Sequence, residues 1–494
     1  MPAEADDVLE PPGAGLASPD VAELVLLDAV ELSWLIARRE VSCVEVAEAF
    51  LAHIDRFDPQ VTAIVSRAPH EQVLDEARHR DRELARGERR GWMHGFPIAV
   101  KDLADARGFP TTRGSPLLTG RPAQSDELFV RRMRESGAVV IGKTNVPEFG
   151  LGSHTFNDVF GTTTNPYDPS RSAGGSSGGA AAALALRMLP VADGSDFMGS
   201  LRNPAAFCNV LGLRPTFGRV PSEGFVSEPA VAGPMGRTAR DTAMLLSTMA
   251  GPHERAPLSV EQDPAVFAGS LQRDLTGTRI GWVGDFGGYL PTEPGVLDQC
   301  ASTFGVFEQL GCAVEPAGEQ LPVERAWRTF LLWRHWMTAR SLGALGSEAE
   351  LADRVKPEAA FELAGARSLT AADIDEALDG RDAWRARVSE LFETFDFLLA
   401  PTAQVFPFDA ALRWPAEIDG RRMDTYHRWM EVVAPWTLSG HPVVNLPAGF
   451  GPGGLPTGVQ LIGRGHDEFG LLQVAHAYEQ ASDWVHRVLP PCLR

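Results

Sequence analysis

Residues 172–215 limit the fold more than any other part of the sequence. Four glycines surround Ser176 and Ser177 in the segment 172–179, and glycine allows backbone conformations that are closed to other residues. An alanine-rich helix predicted over 179–187 follows at once, and a short strand is predicted around 190–192. The two serines should therefore lie at a helix N-terminus, where free N–H groups and the positive end of the helix dipole point at them. A flexible Gly/Ser linker would not continue directly into a helix and a buried strand.

Apolar strands and amphipathic helices alternate along most of the chain. Ser42 and Glu45 form a capping box before the second helix, and Ser125 is the predicted cap of the fourth. The predicted strands are 96–100, 138–141, 279–283, 312–314, 397–399, 443–446 and 458–462, and the predicted helices are 26–36, 43–57, 72–86, 126–135, 296–310, 326–345, 382–395 and 468–480. This order predicts an α/β fold with a large, mixed, mostly parallel central sheet that helices cover on both faces.

The predicted domain organisation is simple. Residues 1–22 are acidic and rich in proline, alanine and glycine, so we expect a disordered tail. Residues 23–490 contain no long linker and are predicted to form a single domain, with the helical part 23–90 packed on the remainder.

Composition narrows the partners and the compartment. The 494 residues include 65 acidic and 45 basic side chains and carry a net charge of −20, which repels phosphate backbones and anionic lipid. Neither nucleic acid nor a membrane is therefore an expected partner. No apolar stretch approaches the ~20 residues of a membrane span, and the N-terminus lacks the pattern of a signal peptide. Five widely spaced cysteines without a CxxC pair predict neither disulfides nor a zinc site. We expect a soluble cytoplasmic protein.

Ser200 lies in a turn, residues 193–204, that follows a predicted strand. Such a turn is a common place for a nucleophile, although an isolated serine there is more typical of a helix cap. No GxSxG pattern surrounds Ser200, so His154 and His441 are predicted to belong to a pocket wall or the core rather than to a Ser-His-Asp triad. No HExxH pattern is present, so a zinc hydrolase is not predicted.

Several separate motifs decide whether Ser200 is a nucleophile or a helix cap. They are GFPIAVKD at 95–102, TTRGS at 111–115, GKTNVPEF at 142–149, GGSSGG at 174–179, DFMGSLRNP at 196–204 and GLPTGVQLIG at 454–463. Their order, and the 24 positions from Ser176 to Ser200, resemble the amidase signature family over residues 25–485. The resemblance implies the amidase signature fold within the α/β class.

The resemblance also implies a catalytic triad. Ser200 would be the nucleophile, Ser176 the bridging serine after a cis peptide bond, and Lys101 the base. A serine hydroxyl is a poor nucleophile until a base removes its proton, and a lysine can do so only when burial keeps it neutral. Ser176 would carry the proton to the leaving nitrogen, which an amide needs more than an ester does.

Backbone N–H groups just before the nucleophile form the oxyanion hole in the family. Here they belong to Phe197, Met198 and Gly199, with Ser200 as a further donor. Met198 stands where the family usually has the first glycine of the turn, and we expect its side chain to project into or beside the acyl pocket. Ser195 replaces the usual threonine.

Further site residues follow from the same resemblance and from the aromatic content. Ser177, Asp196 and Arg202 are predicted to support the turn. The predicted pocket residues are Met198, Ser153, His154, Trp333, Trp336 and Trp436. For any single tryptophan, core packing is the more common role.

The function implied is amide hydrolysis through a Ser200 acyl-enzyme, on neutral or aryl amides, with carbamates, hydrazides or esters as further substrates. The expected partners are a small amide and water, without metal or cofactor, and a homodimer is the oligomer that the resemblance suggests. Two alternatives remain: the glutaminase subunit of a tRNA-dependent amidotransferase, and a non-catalytic binding protein on the same fold. The Phe197-Met198 departure disfavours the first alternative, and retention of all three triad residues disfavours the second.

Overall fold

The computed structural model describes residues 23–223, 230–317, 321–351 and 353–494. The predicted tail, 1–22, lies outside these residues. The helices are α1 (Ala29–Ala37), α2 (Cys43–Phe57), α3 (His70–Ala85), α4 (Leu128–Glu135), α5 (Gly178–Ala185), α6 (Arg202–Phe207), α7 (Ala239–Met249), α8 (Val296–Ala301), α9 (Phe304–Gln309), α10 (Val323–Leu342), α11 (Glu348–Leu351), α12 (Pro357–Arg367), α13 (Ala371–Thr394), α14 (Ala434–Ser439), α15 (Glu468–Ser482) and α16 (Trp484–Arg487).

Two main sheets organise the strands. The strands are β1 (Ile64–Val65), β2 (Pro97–Lys101), β3 (Val139–Thr144), β4 (Phe156–Asn157), β5 (Gly161–Thr162), β6 (Ala192–Asp196), β7 (Leu211–Arg214), β8 (Val231–Gly236), β9 (Arg279–Trp282), β10 (Ala313–Pro316), β11 (Phe397–Pro401), β12 (Glu417–Ile418), β13 (Arg421–Arg422), β14 (Val443–Phe450) and β15 (Pro456–Ile462). Eight of them form the central sheet in the order β10-β9-β11-β15-β14-β7-β8-β6, and a second sheet has the order β1-β3-β2.

The α/β class and the mixed sheet are confirmed, but the central sheet is not mostly parallel. Strand β9 pairs in parallel with β10 and β11, whereas the other five neighbouring pairs are antiparallel. One reason is local: only residues 451–455 join β14 to β15, and a parallel crossover needs a dozen residues or more. Runs of apolar residues indicate buried strands without indicating the direction of pairing.

Helices cover the central sheet on both faces, as predicted. Alternate strand residues point to opposite sides, so Leu399, Val444 and Leu461 enter one apolar cluster. Their neighbours Leu398 and Val443 enter another, which also contains most of the tryptophans of the second half of the chain. This second cluster includes apolar side chains of α10, α13 and α14, and also Met198 of the turn that carries Ser200.

Local sequence signals fix several helix ends. Ser42 Oγ accepts a hydrogen bond from the Glu45 N–H over 3.1 Å, and Glu45 accepts one from the Ser42 N–H over 2.8 Å, which confirms the capping box of α2. The predicted cap at Ser125 is wrong, because Glu127 occupies the N-cap position of α4. The strand predicted around 190–192 is displaced in the structure, where β6 begins at Ala192 and ends at Asp196.

Candidate active site

Lys101 is the last residue of β2, and its side chain is buried. The Lys101 Nζ lies 2.9 Å from Ser176 Oγ, 2.7 Å from Ser177 Oγ and 3.0 Å from Ser195 Oγ. The carbonyl oxygen of Ser195 is 3.2 Å away. Since hydroxyls both donate and accept hydrogen bonds, this surrounding suits the ammonium and the neutral amine alike.

The protonation of Lys101 follows from its burial. Burial lowers the pKa of Lys101 to about 7, although the carboxylates of Asp193 and Asp196 act in the opposite direction. Neither carboxylate forms a hydrogen bond with Nζ; Asp193 instead accepts the backbone N–H of Lys101 over 3.2 Å. The neighbouring carboxylate of Asp102 pairs with buried Lys143 at 3.5 Å.

The glycine-rich segment brings the two serines to the N-terminus of α5. The peptide bond between Gly175 and Ser176 is cis, and Ser177 is the N-cap residue of α5. Close packing explains why residue 179 is a glycine, because a Cβ at this position would collide with the backbone of Asn145. The Ser177 N–H donates to the carbonyl oxygen of Ser200 over 3.2 Å and so joins this segment to the next turn.

Asp196 holds the turn that carries Ser200. Its carboxylate accepts hydrogen bonds from Arg202 Nε at 2.9 Å and Nη2 at 3.0 Å, and from the Leu201 N–H at 3.2 Å. Burial opposes ionisation of Asp196, but Arg202 and Arg214 hold its pKa well below the usual range. Arg202 in turn donates to Gln460 Oε1 at 2.8 Å, which ties the turn to β15.

One predicted oxyanion donor is not free. The Gly199 N–H donates to Asp196 Oδ1 over 2.8 Å, so the prediction for Gly199 is wrong. The N–H groups of Phe197, Met198 and Ser200 form no hydrogen bond with any other described residue. The left-handed backbone position of the turn falls on Gly199, with φ +80°, and Met198 is not in that region. Met198 therefore fits the turn without backbone strain.

The amidase family model matches residues 45–472 of the chain. The chain belongs to the amidase signature family. It is 32% identical to an acylamidase of Rhodococcus erythropolis over 478 residues, which cover 93% of this chain and 96% of the relative. It is 34% identical over 486 residues to one of the subunits of the glutamyl-tRNA(Gln) amidotransferase of Methylococcus capsulatus, covering 92% of this chain and 96% of the relative.

Solved structures of the amidase signature family have the same fold. A bacterial aryl acylamidase superposes with a TM-score of 0.86 at 29% identity, covering 93% of this chain and 96% of that chain. The 6-aminohexanoate cyclic dimer hydrolase, solved with its substrate, superposes with a TM-score of 0.84 at 27% identity, covering 95% and 100%. The amidase signature fold predicted from the motifs is thus confirmed.

A cavity of about 320 Å³ opens at the serines of this amidase signature fold. Ser176, Ser195 and Ser200 lie in its wall, and Ser200 is 6% exposed. Its apolar lining residues are Leu103, Phe149, Leu151, Phe197, Met198, Ala230, Met337, Leu342 and Met430. Met198 lines the cavity, as its position in the turn predicts.

The other predicted pocket residues do not line this cavity. Trp436 packs in the core, where its ring stacks on Phe286 at 5.9 Å. Trp333 stacks on Trp336 at 5.0 Å, and neither residue belongs to the cavity wall. The residues of α10 that line the cavity are instead Arg334, Met337, Thr338, Arg340, Ser341 and Leu342.

Ser153 and His154 also lie outside the cavity wall. Ser153 Oγ donates to the carbonyl oxygen of Gly175 over 2.7 Å, so it supports the serine segment from behind. His154 pairs with Ser172 Oγ at 2.7 Å and the carbonyl oxygen of Ala410 at 3.0 Å, and burial lowers its pKa to about 4. Neither His154 nor His441, which stacks on Phe392 at 5.0 Å, is bonded to Ser200.

Two residues at the site had little or no signal in the sequence. Ser195 contacts Lys101 through both its hydroxyl and its carbonyl oxygen; the only hint was a hydroxyl residue at the family's usual threonine position. Arg334 lines the cavity from α10. The sequence did not single it out, because arginine and tryptophan are frequent throughout this segment. No group of three His, Cys, Asp or Glu side chains in the described part of the chain could hold a metal ion. None of the described helices is long and apolar enough to cross a bilayer.

Proposed function

We propose that this amidase signature protein hydrolyses carboxylic amides through an acyl-enzyme on Ser200. The observation that carries the proposal is the buried Lys101 amine, which shares a hydrogen bond of 2.9 Å with Ser176 beside the cavity that contains Ser200. Similarity to an acylamidase and to an aryl acylamidase structure supports amide hydrolysis.

The proposed hydrolysis has two half-reactions, acylation and deacylation of Ser200, and each returns the proton that it removes. Ser200 Oγ attacks the amide carbon while its proton passes through Ser176 to the neutral Lys101 amine. When the tetrahedral intermediate collapses, the C–N bond breaks, and the leaving nitrogen takes a proton from Ser176, which Lys101 replaces. Water then attacks the ester by the same route and releases the carboxylic acid. Ser200 and Ser176 are not hydrogen-bonded to each other in the described structure, and such contacts often tighten only in the substrate complex.

The oxyanion of the intermediate requires donors that are not already occupied. The N–H groups of Phe197, Met198 and Ser200 meet this condition in the described structure, whereas that of Gly199 does not. Removing one donor from such a site typically costs a factor of about 10²–10³ in rate. We therefore assign the hole to these three amides, and Asp196 positions the turn by holding Gly199.

The cavity supports uncharged substrates with an apolar acyl arm. Aliphatic, aromatic and thioether side chains make up half of the described lining residues, which include no carboxylate. A cavity of about 320 Å³ matches a small aryl or alkyl amide. We propose such amides as the main substrates, with carbamates, hydrazides and esters reacting by the same acyl-enzyme route.

A glutaminase role is the second candidate, because the chain is also 34% identical to an amidotransferase subunit. The two functions differ in what the isolated chain can do. Release of ammonia from glutamine, at a rate comparable with that from the best aryl amide, would favour the glutaminase. Turnover of aryl and alkyl amides with no measurable release from glutamine supports the proposed function.

A fluorophosphonate probe tests the nucleophile directly. We expect covalent labelling on Ser200 in the wild-type chain and none in Ser200→Ala. A panel of alkyl amides, aryl amides, carbamates and esters, measured with the same preparation, then orders the substrates. Absence of labelling and of turnover across the panel would favour a binding protein on this fold.

A further inference from the structure

We propose that Arg334 is a specificity-determining residue that donates a hydrogen bond to a second, uncharged oxygen on the acyl arm of the amide substrate. This inference rests on the proposed function and extends it, because it names a chemical feature of the substrate beyond the scissile amide.

One donor of Arg334, Nη1, has no hydrogen-bond partner among the described residues. Its side chain is 3% exposed and lines the cavity that contains Ser176 and Ser200. The Nε donates to Glu362 Oε1 over 2.7 Å, and Nη2 donates to Tyr426 Oη over 2.7 Å. Nη1 is not among the fully buried polar atoms that lack a partner, so it is accessible to a molecule in the cavity. A substrate oxygen that accepts from this charged donor would form a charge-assisted hydrogen bond, which is stronger than one between neutral groups.

The guanidinium is close to the turn of the nucleophile. It lies over the ring of Phe197, with its central carbon 5.1 Å from the ring centroid. Phe197 begins the turn that leads through Met198 to Ser200, and its ring lines the same cavity. An acyl arm attached to Ser200 would thus extend along a wall that includes the free Nη1.

The charge around Arg334 favours an uncharged acceptor. Burial alone would raise the pKa of Glu362, but Arg334, His335 and His427 lower it to about 2, so Glu362 is ionised at neutral pH. The Arg334–Glu362 pair is then neutral overall. A carboxylate on the substrate would bring an uncompensated charge into a cavity with an apolar half, whereas a carbonyl oxygen accepts the same hydrogen bond without that penalty. Arg340, the other charged residue in the described wall, is exposed.

Three matched series of para-nitroanilides test the inference. Their acyl arms are an alkyl chain, the same chain ending in a methyl ketone, and the same chain ending in a carboxylate, each over a range of lengths. For wild type we expect the ketone series to exceed the alkyl series in kcat/KM by about tenfold at the best length, the size of one hydrogen bond to a charged donor. The carboxylate should not exceed the ketone.

The variants are Arg334→Met and the double change Arg334→Met with Glu362→Gln, which removes both charges and avoids a buried, unpaired carboxylate. In both, the ketone-to-alkyl ratio should fall close to one. A ratio does not depend on the fraction of folded enzyme, so partial misfolding leaves the test valid. Arg328→Met, an exposed arginine on the same helix paired with Glu376, is the control and should keep the wild-type ratio.

The outcomes separate this inference from the function on which it rests. An equal ketone-to-alkyl ratio in wild type and both variants overturns the role of Arg334 while amide hydrolysis stands. A preference for the carboxylate that disappears with Arg334→Met overturns the uncharged acceptor. Failure of wild type to cleave any anilide, together with no labelling of Ser200, overturns the proposed function and this inference with it.

Discussion

The Nζ of Lys101 is hydrogen-bonded to the Oγ of Ser176 although the two residues are 75 positions apart in the sequence. No carboxylate of the described residues forms a hydrogen bond with this amine, which instead lies among three hydroxyls. Burial therefore dominates its pKa, and a lysine becomes available as a base near neutral pH. The following predictions depend on this pair, on the turn that carries Ser200 and on the cavity beside it.

The three triad positions should differ in how much activity survives their removal. Ser200→Ala should abolish turnover of amides, because no acyl-enzyme can form. Ser176→Ala and Lys101→Ala should each lower kcat/KM by about 10³-fold or more, because proton transfer to the leaving nitrogen is lost. Circular dichroism should show the native fold in all three. Ser389→Ala, on the exposed face of α13, is the control and should be unchanged. Near wild-type activity in Ser200→Ala would falsify the assignment.

Activity should rise with pH through the pKa of Lys101. In the proposed mechanism the neutral amine of Lys101 is the base, and its fraction increases as pH passes about 7. We expect kcat/KM to climb about tenfold per pH unit well below that value and to level off above it. The measurement is a kcat/KM profile for a substrate without titratable groups, in buffers of constant ionic strength. A flat profile from about two pH units below that pKa to about two above it would contradict the role of Lys101.

The Asp196–Arg202 pair should contribute strongly to folding stability. Both side chains are fully buried, and removing the carboxylate leaves the guanidinium unpaired. Asp196→Ala should lower the free energy of unfolding by about 3–5 kcal/mol, measured by urea denaturation. The exposed pair Arg78–Asp75 supplies the comparison, and Asp75→Ala should have little effect. Equal effects of the two substitutions would show that burial does not set the contribution of these pairs.

Met198 should limit the size of the acyl group. Its side chain lines the cavity, so Met198→Ala should increase the ratio of kcat/KM for a bulky acyl group over a small one by about tenfold or more. Met244→Ala is the matched control, because Met244 is buried in α7 and does not line the cavity. Both changes should reduce stability by about 2–5 kcal/mol, but only the first should change the ratio. The same ratio in both variants would exclude Met198 from the acyl pocket.

The sequence predicted the parts of this protein that depend on short-range pattern. The capping box at Ser42 and Glu45, the buried strand that ends in Lys101 and the alanine-rich helix after Ser177 all appear near their predicted places. Hydrogen-bonding side chains near a helix end and the periodicity of apolar residues are local properties, so a linear sequence contains them. The ordered motifs also identified the family without any knowledge of strand pairing.

Only the tertiary structure decided which hydrogen-bond donors already have a protein partner and which side chains pack in the core. Asp196 captures the Gly199 N–H, Trp436 packs against Phe286 in the core, and Arg334 keeps one donor toward the cavity. The antiparallel pairing of β14 with its neighbours belongs to the same class of outcome. Each depends on contacts between residues far apart in the chain, and residue type at one position does not specify its partner. Hydrogen-bond competition and packing in the folded state make that choice.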